Sequence, residues 1–153
     1  MSNYILRSCM IIALLALTAT QPMASTHEAP HLEGVWKVSV TIRDCVTGDT
    51  IRTPRALNLF MHDGSVTETA DNPLRSPSVG QWRHLQGNSY TSTFWFFRRN
   101  PNGTFASTTK VTRTIDLSDD GNQFVSTGTV EDFNADGVMI SSACSTETAE
   151  RLE

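Results

Sequence analysis

The sequence predicts an all-β protein: a single antiparallel up-and-down β-barrel of about eight strands. Three observations carry this expectation. Turn formers cluster at Asn100-Pro101-Asn102-Gly103, Asp119-Asp120-Gly121-Asn122 and Asn134-Ala135-Asp136-Gly137, and these residue types tolerate positive φ and favour chain reversal. The runs between the clusters are rich in Thr, Val, Ile and Phe and alternate with period two, the pattern of strands with one buried face. Closing the middle turn then gives a self-consistent register. With Ser118 opposite Gln123, Lys110 meets Glu131, Thr112 meets Thr129 and Thr114 meets Thr127, all on one face. The other face collects Phe105, Val111, Ile115, Leu117, Phe124 and Val130, and a slip of one residue would exchange the two faces.

The flanking hairpins extend the inner set. With Arg99 opposite Thr104 it gains Tyr90, Ser92, Phe94 and Phe96; with Phe133 opposite Val138 it gains Met139, Ser141, Ala143, Ser145 and Glu147. Many of these residues are small, which suits a cavity better than a dense core. Upstream, Trp36, Val38, Val40 and Ile42 alternate with polar residues, so Lys37–Arg43 continues a first strand. Asp44–Thr53 reads as a loop. Ala56–His62 and Ser65–Ala70 form a hairpin on Asp63-Gly64; the more apolar face, Leu57, Leu59, Met61, Val66 and Glu68, is expected inside. Asp71–Val79, with Asn72-Pro73 and Ser76-Pro77, is an irregular loop long enough to act as a flap. In Val79–Leu85, the turn Gln86-Gly87-Asn88 closes as two or three residues. Whether Trp82 and His84 or Gln81 and Arg83 face inward stays open.

The chain of 153 residues suits one domain. Arg7, the apolar run Met10–Leu17 and the small residues after it predict a signal peptide over residues 1–24, cleaved between 19 and 25. Residues 25–31 are expected to be a flexible leader, and 32–153 the barrel domain. The protein is therefore expected outside the cytoplasm, periplasmic or secreted. The apolar run is too short for a membrane span. Cys9 leaves with the signal peptide; Cys45 and Cys144, an even pair in an exported chain, are expected to form a disulfide. The formal charge of −4 becomes −5 once Arg7 is removed, which argues against a nucleic-acid partner. His27 and His31 lack further ligands, and no metal or cofactor is expected.

Gly34-Val35-Trp36, opening the first strand, resembles the start of the calycin barrels, the lipocalins and avidin-like proteins among them. The resemblance implies that Gly34 lets the chain cross the barrel floor and that Trp36 plugs that end. It also implies that Arg151, on the last strand, lies over the indole. If Cys45 and Cys144 are roughly opposite, Arg151 falls near Val38, diagonal to Trp36, and the first and last strands close the barrel. The chain also resembles the barrel of allene oxide cyclases, with no motif that carries over their catalytic groups.

Arg113 is the most suggestive single residue. The register places it inside, between Tyr90 and Gly128, where the glycine leaves room for a long side chain or a ligand. A buried cation needs a partner, and Glu68, Asp132 and Glu147 are in reach. Candidate ligand contacts are thus Arg113, Tyr90, Glu68, Phe94 and Gly128; Glu68 and Tyr90 are also the candidates for proton transfer. Trp95 and Phe97 fall outside and suit a contact between copies of the chain. The expected function is binding of a small, largely apolar molecule in the interior. The alternatives are an allene-oxide-cyclase-like isomerase or cyclase and an inhibitor or interaction protein acting through its outer surface. No Ser–His–Asp, zinc or phosphate-loop pattern is present.

Overall fold

The computed structural model describes residues 31–153; the expected signal peptide, Cys9, His27 and all but the last residue of the leader lie outside them. Nine strands follow in order: β1 Gly34–Arg43, β2 Thr50–Arg52, β3 Arg55–Phe60, β4 Ser65–Ala70, β5 Ser78–Gln86, β6 Ser89–Arg99, β7 Phe105–Leu117, β8 Gln123–Phe133 and β9 Met139–Arg151. Every strand from β3 to β8 pairs with the next in sequence, and β1 pairs with both β3 and β9. The result is an eight-strand closed antiparallel barrel, as expected. The short β2 also pairs with β1 and leads into β3 through Thr53-Pro54. No helix among the described residues is long and apolar enough to cross a membrane.

Closure occurs between β1 and β9, with Trp36 directly opposite Arg151 and Arg43 opposite Cys144. Arg151 is two residues from its expected place, because Cys45 lies beyond the end of the ladder. The Arg151 guanidinium is 4.3 Å from the Trp36 ring centre. It donates to the carbonyls of Gly121 (2.7 Å), His31 (2.6 Å) and Glu33. Trp36 is fully buried, donates to the Leu32 carbonyl at 2.9 Å and packs 4.9 Å from Phe124. This is the closed end. Cys45 and Cys144 form a disulfide near the other end, their Cα atoms 5.1 Å apart.

The β7–β8 register is the expected one: Lys110 opposite Glu131, Arg113 opposite Gly128 and Leu117 opposite Phe124. The outer face carries a row of threonines across five strands, Thr91, Thr114, Thr127, Thr146 and Thr41. Two neighbouring ladders differ from expectation by two residues. Arg113 sits opposite Ser92, not Tyr90, and Asp132 sits opposite Ser141. Both hairpins close one residue wider than expected, Asn100 N–H to Thr104 O and Asn134 N–H to Val138 O. Both then take up one more residue in a bulge, Ala106 in β7 and Ile140 in β9. Two single shifts preserve the faces deeper in the barrel. Near the turns they do not, so Phe105 and Met139 are exposed instead of inside. Ser141, past the bulge, keeps the inner parity opposite Asp132 but is exposed at the rim.

The β3–β4 hairpin corrects another expectation. Met61 N–H bonds Ser65 O, so the turn has three residues and Gly64 takes φ 84°, a conformation glycine adopts without strain. The face of β3 is thereby reversed. Ala56, Asn58 and Phe60 point inward beside Val66 and Glu68, while Leu57 and Leu59 are exposed. On β5, Trp82 and His84 share the inner parity with Tyr90, Ser92 and Phe94.

Candidate functional site

The barrel interior is layered. At the closed end Trp36, Phe60, Trp82, Tyr90, Ile115, Leu117 and Phe124 fill the space. Above them lies a buried polar layer. Arg113 is 1% exposed. Its Nε donates to Ser92 Oγ at 2.8 Å and its Nη1 to Glu147 Oε2. The Asn58 amide oxygen accepts from Nη2 at 2.7 Å and Nη1 at 3.1 Å, and its nitrogen donates to Glu68 Oε2 at 2.9 Å. Ser126 Oγ donates to Glu147 at 2.8 Å, and Arg75 Nη2 donates to Glu68 Oε1 at 2.9 Å. The guanidinium of Arg113 is also ringed by Phe94, Phe60 and Phe124, 5.0, 5.5 and 5.9 Å from their ring centres. Two arginines and two glutamates thus form one neutral, hydrogen-bonded network, the condition under which charge is tolerated in a core. Burial raises the Glu68 pKa, reinforced by Glu147 and opposed by Arg113 and Arg75.

Above this layer the barrel opens. The recess has a cavity volume of about 50 Å³, and about 530 Å³ when all the space out to open solvent is counted. Its walls include Val40, Ile42, Ala56, Phe94, Phe96, Val111 and Val130; Glu68, Glu147 and Ser145 lie at its floor. Ser145 is buried, and its hydroxyl has no hydrogen-bond partner among the described residues. Three arginines, Arg52, Arg75 and Arg98, stand around the mouth. Arg98 Nε bonds Asp132 at 3.0 Å and Thr109 at 2.8 Å, and Ser141 donates to Asp132 at 3.0 Å. For Asp132, burial raises the pKa, but Thr109, Arg98 and Ser141 together outweigh it and hold the carboxyl below its ordinary value.

The loop between β4 and β5 is pinned, not free as a flap would be. Ser76 N–H bonds Phe97 O at 2.9 Å and Arg99 N–H bonds Leu74 O at 2.7 Å. This docking carries Arg75 over the Phe96 ring, 3.5 Å from its centre, and into contact with Glu68.

Of the residues singled out from the sequence, Glu68 and Phe94 line the recess and Arg113 lies beneath it. Tyr90 is elsewhere, at the closed end, its ring tilted against those of Trp82 (5.8 Å) and His84 (4.9 Å); burial raises its pKa against a backbone hydrogen bond with Leu32. Gly128 does not leave room for a ligand. A Cβ there would stand 2.3 Å from the Thr112 carbonyl and 2.8 Å from Arg113 Cβ, so the glycine permits close approach of β7 to β8. Asn58, Arg75, Arg52 and Arg98 were not singled out. Asn58 alternates with two leucines, so local hydropathy points to the opposite face; Arg52 and Arg75 lie at a strand end and in a loop, where parity has no hold, whereas Arg98 continues the inner parity of Phe94 and Phe96.

Among the described residues no group of three or more His, Cys, Asp or Glu is placed to hold a metal. No family model, curated protein or solved structure matches the chain. The closed eight-strand barrel is compatible with a calycin-like architecture.

Proposed function

We propose that this is an exported barrel that binds a small, largely apolar molecule in the recess at its open end. The observation that carries the reading is the contrast between the two halves of the interior. The lower half is filled and its polar groups are satisfied. The upper half keeps an apolar-walled void above a buried hydroxyl with no partner among the described residues, the combination of greasy wall and few polar groups that small-molecule sites share. The disulfide is compatible with export. The small void limits the ligand to a compact body that leaves part of itself at the mouth.

Ala70 lines this recess. Ala70→Trp is expected to abolish uptake of an apolar fluorescent probe while leaving the melting temperature within a few degrees. Equal probe binding by the wild type and the variant would sink the reading. An isomerase has less support, because Glu68, the obvious proton carrier, already has both oxygens engaged. A second reading rests on a separate observation. Trp95, Phe97 and Phe105 are 41, 53 and 44% exposed, and Phe97 packs 6.3 Å from Phe105. Such an outer aromatic patch suits a protein-contact surface, including one between copies of this chain. Sedimentation of Trp95→Ser/Phe97→Ser against the wild type tests it.

A further inference from the structure

We propose that the recess selects a compact amphiphile with a single negative charge, a short aromatic or branched carboxylate, whose head is held by Arg52. The inference rests on the binding reading above and specifies its ligand. The charge balance of the mouth is the first argument. Arg75 is paired with Glu68 and Arg98 with Asp132. Arg52 lines the same recess and has no ion pair or side-chain hydrogen bond among the described residues. The other carboxylate in its range, Asp132, is already engaged by Arg98, Thr109 and Ser141. One positive charge is therefore left over where three guanidinium groups converge. Desolvation at the rim, then repulsion from Arg98 and Arg75, lowers the Arg52 pKa, with Asp132 acting the other way. An anion placed there relieves that repulsion, and a planar carboxylate matches the guanidinium fork.

The second argument is the body of the ligand. Phe94 and Phe96 stand in the wall, and Ser145 offers one unused hydroxyl at the floor. The Arg113–Glu147–Asn58 layer closes the barrel below, so a long acyl chain has nowhere to run. The fitting molecule is short and broad, with one charged end.

The test uses phenylacetate and its neutral counterpart 2-phenylethanol, titrated by calorimetry into the exported protein at low salt. Phenylacetate should bind about tenfold or more tighter, since a charge-assisted hydrogen bond is roughly twice as strong as a neutral one. Added salt should narrow the ratio. In Arg52→Met the ratio should fall to about one, and Arg52→Lys should restore part of it. Because Arg52 supports no ion pair, Arg52→Met should melt as the wild type does. Equal affinities in the wild type would overturn the charge selection while leaving the recess as a site for neutral molecules. A preference that survives Arg52→Met would show that Arg52 is not the receptor. No binding of either compound would remove both this inference and the binding function it rests on.

Discussion

Arg113 shows how much of a buried charge is set by what remains after it is removed. Its guanidinium satisfies Ser92, Asn58 and Glu147 at once. Arg113→Met keeps much of the volume but leaves Glu147 charged and buried, which should cost about 3–5 kcal/mol. Adding Glu147→Leu should recover part of that loss, because it removes the orphaned charge, while Asn58 and Ser92 still lose their Arg113 contacts. Chemical denaturation of the two variants measures this, and a double variant weaker than the single one would contradict it. Titration adds a second residue-scale test. Glu68 has a raised pKa in the fold, so above about its ordinary 4.5 the native state holds more protons than the unfolded chain. Stability from this group is full below 4.5 and is lost as pH rises through the folded value. Asp132 has a lowered pKa; its contribution is present above about 3.8 and is lost as pH falls through its folded value. Glu68→Gln should therefore flatten the first slope and Asp132→Asn the second, read from denaturant midpoints across pH. A first slope unchanged in Glu68→Gln would assign it to another group.

Hairpins decide which of these groups meet. The β7–β8 ladder was legible because its turn closes on an unbroken ladder, so the letters alone paired Lys110 with Glu131 and Arg113 with Gly128. The hairpins on Asn100 and Asn134 were legible only in face. A wider turn and a bulge each add one residue, and nothing in Ala106 or Ile140 marks them as the extra ones. Burial pattern misled at β3: two leucines flank Asn58, yet Asn58 is inside because Arg113 and Glu68 satisfy it. That decision is made between strands distant in sequence, so local alternation did not reveal it. The role of Gly128 was likewise not legible, since smallness alone does not separate a cavity from a close backbone approach. The distances do. Gly128→Ala should force β7 and β8 apart and cost about 1–3 kcal/mol, with Thr112 and Arg113 amides losing hydrogen-exchange protection. A variant as stable as the wild type would mean that the two strands separate at no cost.

At the scale of the whole molecule, the barrel is closed twice at the same seam. The β1–β9 ladder runs from Trp36–Arg151 to Arg43–Cys144, and the disulfide ties the chain just beyond its last pair across a separation of 99 residues. The ladder acts on the folded state, the disulfide mainly on the unfolded one. In the chain-entropy view, opening a loop of this length should cost up to roughly 4–5 kcal/mol. Because the ladder holds the seam without help, Cys45→Ser/Cys144→Ser should remain a closed barrel with the same recess and the same probe affinity. Its denaturant midpoint should fall, and its m-value should rise, since an unfolded chain without the link exposes more surface. A fall in midpoint with an unchanged m-value and a weakened probe affinity would place the effect in the folded state, making the disulfide a brace for the open end instead of a constraint on the unfolded chain.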